Sequence, residues 1–305
     1  MDYLYILLAV IGIAVQFSCI KWYQARTVTA TMNTSTAAAK CFFLAMTRSL
    51  FCILIFFTLL RANHIEWAVS AFSLRAAVIM AGLATGIGLT GVLALSRGTV
   101  STYTLFMMLG GMMLPFLVGV IFWGEDLTAF RLAGLILLTV SLYAPIMDSK
   151  KTRSPYIFLF LCFCIFMLNG GTSIVSKYHQ AGSERVHELN FVLLAEMISA
   201  PVNAVLWLLF RPRRGQGDER RGRLGVVGVN ISIIALYALA SGLAYLLLLR
   251  AAVNLDASIL YPLVTGGTII TAAAAGYIFF REKPGKYSAA GIAIAVFATI
   301  LFIIG

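Results

Sequence analysis

Arg48 and Glu196 are ionisable side chains set deep within apolar runs of this chain. A charge at the centre of a bilayer costs about 3 kcal/mol or more when unpaired, so such groups ordinarily face a bundle interior and mark a pathway or a pair. Aligning Arg61 with Arg211 matches Leu44-Ala45 with Leu194-Ala195, which places Arg48 and Glu196 at comparable depth in corresponding runs. Two chemistries are open. One is a buried ion pair that locks two parts of the molecule together, or gates them if one conformation separates it. The other is a substrate or proton site, with Glu196 as the titrating carboxylate; the plain alternative to both is two unrelated groups that snorkel to the surface.

Uncharged polar residues accompany them. Gln16 and Asn169 stand in corresponding apolar runs, and Asn169-Gly170-Gly171-Thr172-Ser173 reads in either of two ways. It is a loosened helix whose backbone coordinates a ligand, or a close helix contact bridged by an Asn hydrogen bond. Tyr261-Pro262-Leu263-Val264-Thr265-Gly266-Gly267-Thr268 combines hydroxyls with a proline. Pro262 lacks the amide that would bond the Ser258 carbonyl, which predicts a kink facing a cavity. Tyr103, Thr104, Gly110, Gly111 and Pro115 form its counterpart, and Asn230, Tyr237, Ser241 and Tyr245 lie on a further run. The predicted cavity lining is Gln16, Arg48, Asn169, Glu196, Tyr261 and Thr265.

Enzyme chemistry finds no support. There is no Gly-rich phosphate loop, no His-Glu-x-x-His and no apolar-embedded Ser/His/Asp set, so neither a catalytic residue nor a cofactor is expected. Cys19, Cys41, Cys52, Cys162 and Cys164 all fall in apolar runs and read as small buried residues. His64, His179 and His187 are predicted in loops, where they make poor metal ligands or proton relays.

The elements that position these residues are helices in lipid. The chain is 61% hydrophobic and only 11% charged, against about a quarter charged in soluble proteins. Its apolar runs are continuous and reach the ~20 residues a membrane helix needs, which disfavours an alternating β-barrel pattern. Ten spans are predicted, at about 3–23, 37–60, 76–96, 100–123, 128–147, 156–177, 189–210, 226–249, 257–280 and 286–304. The first lacks a basic leader and is too long for a signal peptide, so it reads as a permanent span.

The second half echoes the first. Lys21-Trp22-Tyr23-Gln24-Ala25 recurs as Lys177-Tyr178-His179-Gln180-Ala181, and Leu83-Ala84-Thr85-Gly86 as Leu239-Ala240-Ser241-Gly242. Gly110, Gly119, Glu125 and Gly134 recur in the same order as Gly267, Gly276, Glu282 and Gly291. The polar linker 148–155 divides the chain into a repeat at 1–147 and a second at 156–305. Five spans in each make the duplication an inverted one. The predicted fold is therefore an all-α integral membrane protein of ten transmembrane helices, arranged as two inverted five-helix repeats around a central cavity.

Lys and Arg concentrate in the loops after odd-numbered spans, above all in 148–155 and 211–224. The positive-inside rule makes those loops cytoplasmic and puts both termini outside. The net charge of +11 follows from this topology and from contact with anionic membrane lipid. It is no sign of nucleic acid. Lys21 and Lys177, at the ends of corresponding spans, read as snorkelling anchors or as repeat-symmetric gate charges.

Two segments carry a family likeness: Gly119-Val120-Ile121-Phe122-Trp123-Gly124-Glu125-Asp126-Leu127-Thr128 with Gly134, and Gly276-Tyr277-Ile278-Phe279-Phe280-Arg281-Glu282-Lys283 with Gly291. With two units of five spans, the chain resembles the drug/metabolite transporter superfamily, EamA type. The resemblance implies a basket of ten helices, a cavity lined by the first four spans of each repeat, and alternating access. The chain departs from it in its predicted outward termini. It also lacks the first-span Glu of the small four-span relatives that export cationic drugs, because neither 3–23 nor 156–177 holds a carboxylate.

The expected function is secondary-active transport of a small polar metabolite, an amino-acid-like zwitterion or anion, across a bacterial cytoplasmic membrane. The partners are the small-molecule substrate, membrane lipid and a coupling ion such as a proton, with the chain acting as monomer or homodimer. Two rivals remain. One is proton-coupled export of cationic or lipophilic drugs through Glu196, and the other is a non-transporting membrane scaffold or receptor.

Overall fold

The computed structural model describes residues 1–27, 34–95, 100–148, 155–211, 223–280 and 286–304, and these contain helices and no strand. In chain order the helices are α1 (Asp2–Thr27), α2 (Thr34–Ala62), α3 (Ala71–Leu95), α4 (Val100–Phe122) and α5 (Ala129–Asp148). The second five are α6 (Pro155–Ala181), α7 (Glu188–Phe210), α8 (Arg223–Asn254), α9 (Ala257–Phe280) and α10 (Lys286–Ile304). Among the described residues, eight of them carry apolar stretches long enough to cross a membrane, and the described apolar stretches of α5 (Ala129–Ser141) and α10 (Ala289–Phe302) are shorter. An integral membrane protein is the reading these helices support. The linker and basic-loop residues 149–154 and 212–222, with Arg97, Glu282 and Lys283, lie outside the described residues.

Helix is the form in which a lone segment satisfies its own backbone in lipid. The hydroxyls within the spans fit the same constraint by bonding back one turn. Ser18, Thr47, Thr85, Ser176 and Thr299 each donate to the carbonyl four residues earlier, at 2.7–3.0 Å. Large apolar side chains such as Leu7, Phe57, Ile136, Phe160 and Ile278 remain exposed on the outer surface, a pattern suited to contact with acyl chains.

Inside, the two larger of four apolar clusters among the described residues hold most of the bundle. Val10, Leu109, Phe116, Leu138, Leu260 and Phe302 pack α1, α4, α5, α9 and α10 together with part of α8. Phe56, Leu60, Met80, Phe191, Leu193 and Leu249 join α2, α3 and α7 to another part of α8.

The helix contacts follow a rule. α2 packs on α7, α5 on α10 and α4 on α9, each on the helix five places along. The α1–α8 contact is matched by α6–α3, α4–α6 by α9–α1, and α3–α7 by α8–α2. Gly110 and Gly267 serve matched contacts: a Cβ on Gly110 would overlap the Phe166 carbonyl of α6, and one on Gly267 would come 3.1 Å from Val10 Cγ2 of α1.

Candidate functional site

Because α2 and α7 run against each other, Arg48 and Glu196 meet. Nη2 of Arg48 lies 2.6 Å from Oε1 of Glu196. This is the short end of a charge-assisted hydrogen bond. The other Arg48 amino group reaches Ser241 Oγ of α8 at 3.4 Å and Cys52 Sγ, one turn along its own helix, at 3.8 Å. The guanidinium carbon sits 5.8 Å from the centre of the Tyr237 ring, within cation–π range. Cys52 donates onward to the Ala238 carbonyl at 3.5 Å. One arginine thus links α2, α7 and α8.

Glu196 is buried, and among the described residues its second oxygen, Oε2, has no hydrogen-bond partner. A carboxylate accepts at both oxygens, so half of this one's capacity is left without a protein donor. Unused buried acceptors are uncommon, and each asks for a donor.

The other predicted residues lie on α1, α6 and α9. The hydroxyl of Tyr245 on α8 is 2.8 Å from Ser176 Oγ of α6. Tyr261 is buried on α9 and donates to the Ser173 carbonyl at 2.6 Å. Asn169 donates to the Met107 carbonyl of α4 at 2.7 Å, over Gly111, whose lack of a side chain leaves room for the amide. Of the two readings of the Asn169 segment, the helix contact is the arrangement seen. Thr265 is buried on α9, and the nearby Thr268 hydroxyl is buried without a partner among the described residues. Gln16 is half-buried on α1. The structure therefore joins Arg48 and Glu196 directly and places Asn169 and Tyr261 at helix seams along α6.

Two expectations change. His179 is not in a loop, because α6 continues to Ala181. The ring is fully buried, stacked 3.8 Å from Phe191 and bonded to Ser73 Oγ at 2.9 Å, where it ties α3, α6 and α7. Arg185 closes the helix end by donating to the Gln180 carbonyl at 2.8 Å. Lys177 does not snorkel either. Its ammonium donates to the Ala252 and Leu255 carbonyls at 3.0 and 2.5 Å, capping the end of α8, where unpaired carbonyls and the negative pole of the helix favour a cation.

A second polar cluster, which sequence reasoning missed, surrounds that cap. The turn after α4 is closed by Gly124 in the left-handed region at φ 66° and by a bond from the Glu125 N–H to the Gly119 carbonyl at 3.1 Å. The Glu125 carboxylate folds over Gly119, where a Cβ would come within 2.6 Å of Oε2. From there it accepts the Ala257 and Ser258 N–H groups at the start of α9, at 2.9 and 2.7 Å. Arg131 of α5 braces the cluster through the Asp126 carbonyl and Ser258 Oγ, at 2.8 and 3.2 Å. The glycine and glutamate were visible in the sequence as repeated residues. Their partners are backbone amides, which leave no mark on residue identity.

Among the described residues, no group of three or more His, Cys, Asp or Glu side chains is placed to hold a metal. No protein-family model matches the sequence, and no curated protein matches it either. A solved structure titled only "Crystal structure of protein" is similar in fold, with a TM-score of 0.70 at 15% identity. The likeness covers 97% of this chain and 96% of that one. It speaks for a shared fold alone.

Proposed function

We propose that this chain is a ten-span secondary transporter of small polar metabolites, built as two inverted five-helix repeats of the EamA type and working by alternating access. The repeat reading draws on the helix contacts that pair off at a shift of five, and on the matched glycines 110 and 267 at equivalent seams. An odd number of spans per unit turns the second unit over, the usual construction of transporters with a site at mid-membrane.

The observation that carries the function is the Arg48–Glu196 pair, buried between α2 and α7 with Glu196 Oε2 left idle. A pair kept only for stability is poorly rationalised, because apolar residues of similar size would do as well or better. Retaining both charges at depth, beside Tyr237 and Ser241, suits a site that must recognise polar solutes. The surrounding membrane is proposed to be a bacterial cytoplasmic membrane, with the basic loops inside and both termini outside.

The test is solute flux. Purified full-length protein in liposomes is expected to move at least one member of a panel of amino acids, amines, organic acids and nucleosides, with flux of that solute lost in Arg48→Gln. Ligand-induced thermal stabilisation should track the same solute. No flux and no stabilisation across the panel would favour a scaffold or receptor.

A further inference from the structure

The Arg48–Glu196 pair is electrically neutral, and that constrains what can enter it. A monoanion that takes Arg48 strands the Glu196 carboxylate, and a monocation that takes Glu196 strands the guanidinium. Removing one partner of a buried pair is the costly event, more so than the pair's presence. A ligand carrying one carboxylate and one ammonium replaces both partners at once and strands neither.

The geometry is suited to that exchange. The pair is held through one oxygen, Oε1, at 2.6 Å, while Oε2 is buried and unpartnered. A planar guanidinium and a carboxylate can form two parallel bonds, and this pair forms one. Among the described residues, the second Arg48 amino group has a hydroxyl at 3.4 Å and a thiol at 3.8 Å as its partners. Each member therefore keeps binding capacity that its partner does not use. Ser241 and Tyr237 of α8 flank the guanidinium, leaving hydroxyl and ring faces for the body of a ligand.

We infer that the Arg48–Glu196 pair is a charge-matched lock that selects amino-acid-type zwitterions, with the ligand carboxylate bonding Arg48 and its ammonium bonding Glu196 through the idle Oε2. This rests on the transporter reading and narrows its substrate class from polar metabolites to solutes bearing both charges. Binding separates α2 from α7 at this level and substitutes the ligand for their direct bond. The site then opens only when filled by something of the right charge.

Substitution should exchange the specificity. Glu196→Gln leaves Arg48 without a counter-ion and creates a monoanion site. Arg48→Gln leaves Glu196 alone and creates a monoamine site. The probes are L-phenylalanine, 3-phenylpropionate and phenethylamine, with L-leucine, 4-methylpentanoate and isopentylamine as the aliphatic set. Binding is measured calorimetrically on purified full-length protein, and flux in liposomes. The parent should prefer a zwitterion over both matched single-charge analogues by about tenfold or more, given what buried charge pairs are worth at interfaces. E196Q should reverse this toward the acids and R48Q toward the amines. The charge-swapped double variant R48E/E196R, which keeps a pair if the single variants fold poorly, should retain the zwitterion preference.

Equal affinity for the single-charge analogues, no binding of any probe, or variants that keep the parent's preference would overturn the inference. The two claims fail separately. Zwitterion binding with the charge reversal but no flux refutes transport and leaves the lock standing. Flux of other solutes without reversal refutes the lock and leaves transport standing.

Discussion

The carboxylate of Glu125 reaches from the turn after α4 to the first turn of α9, where Oε2 accepts the Ser258 N–H at 2.7 Å. It occupies space that only a glycine at 119 leaves open. A carboxylate at a helix N-terminus satisfies orphan amides and meets the positive pole of the helix. The residues that resemble each other most between the two halves thus include one that joins helices across them.

Glu125→Ala should therefore lower stability by about 1–2 kcal/mol, the scale of a lost N-cap. Gly119→Val should cost a similar amount by pushing the carboxylate off α9. The two substitutions act on one contact, so their combination should fall well short of additive in a double-mutant cycle of thermal or denaturant unfolding. Simple additivity would mean that Gly119 serves some purpose other than making room for Glu125.

The Arg48–Glu196 pair makes a stronger prediction of the same sign. Arg48→Met or Glu196→Leu alone should destabilise by about 3–5 kcal/mol through a stranded charge, while R48M/E196L together should recover most of the loss. Unfolding of the single and double variants reads this directly. A double variant less stable than both singles would show that the pair itself holds α2 to α7.

Capping of α8 by Lys177 has a local readout. Lys177→Met should leave the Ala252 and Leu255 carbonyls unpaired and speed amide exchange around the α8–α9 turn at residues 250–258, with exchange in α2 unchanged. Uniform acceleration across the protein would assign Lys177 a global role instead.

Orientation is testable at Ser183, exposed between α6 and α7. With the basic loops cytoplasmic, Ser183→Cys should react with a membrane-impermeant thiol reagent in intact cells. Reaction only after lysis would reverse the proposed topology.

Much of this was legible in the sequence, for physical reasons that differ by residue. Apolar runs long enough to span predicted helices, since lipid leaves a lone segment little other choice. The structure has a helix at each predicted position, although α1 continues to Thr27 and α3 begins at Ala71, beyond the apolar residues that signalled them. Arg48 and Glu196 stood out because lone charges in such runs need a reason. His179 was misplaced because His-Gln-Ala reads as polar ends usually do, whereas here the ring is stacked between helices. The Glu125 and Lys177 contacts were hidden more thoroughly, because both bond to backbone groups and any residue supplies those.

The matched seams at Gly110 and Gly267 are unequal in a way that bears on motion. At Gly110, α4 meets the main chain of α6 itself, whereas at Gly267, α9 meets only the methyl groups of Val10 on α1. Backbone against backbone has no rotamer to yield, so α4 and α6 should travel as one rigid body. Methyl groups can turn and slip past a bare helix face. Any rocking of this bundle then has a stiff joint and a sliding one, and it should start at the α1–α9 side.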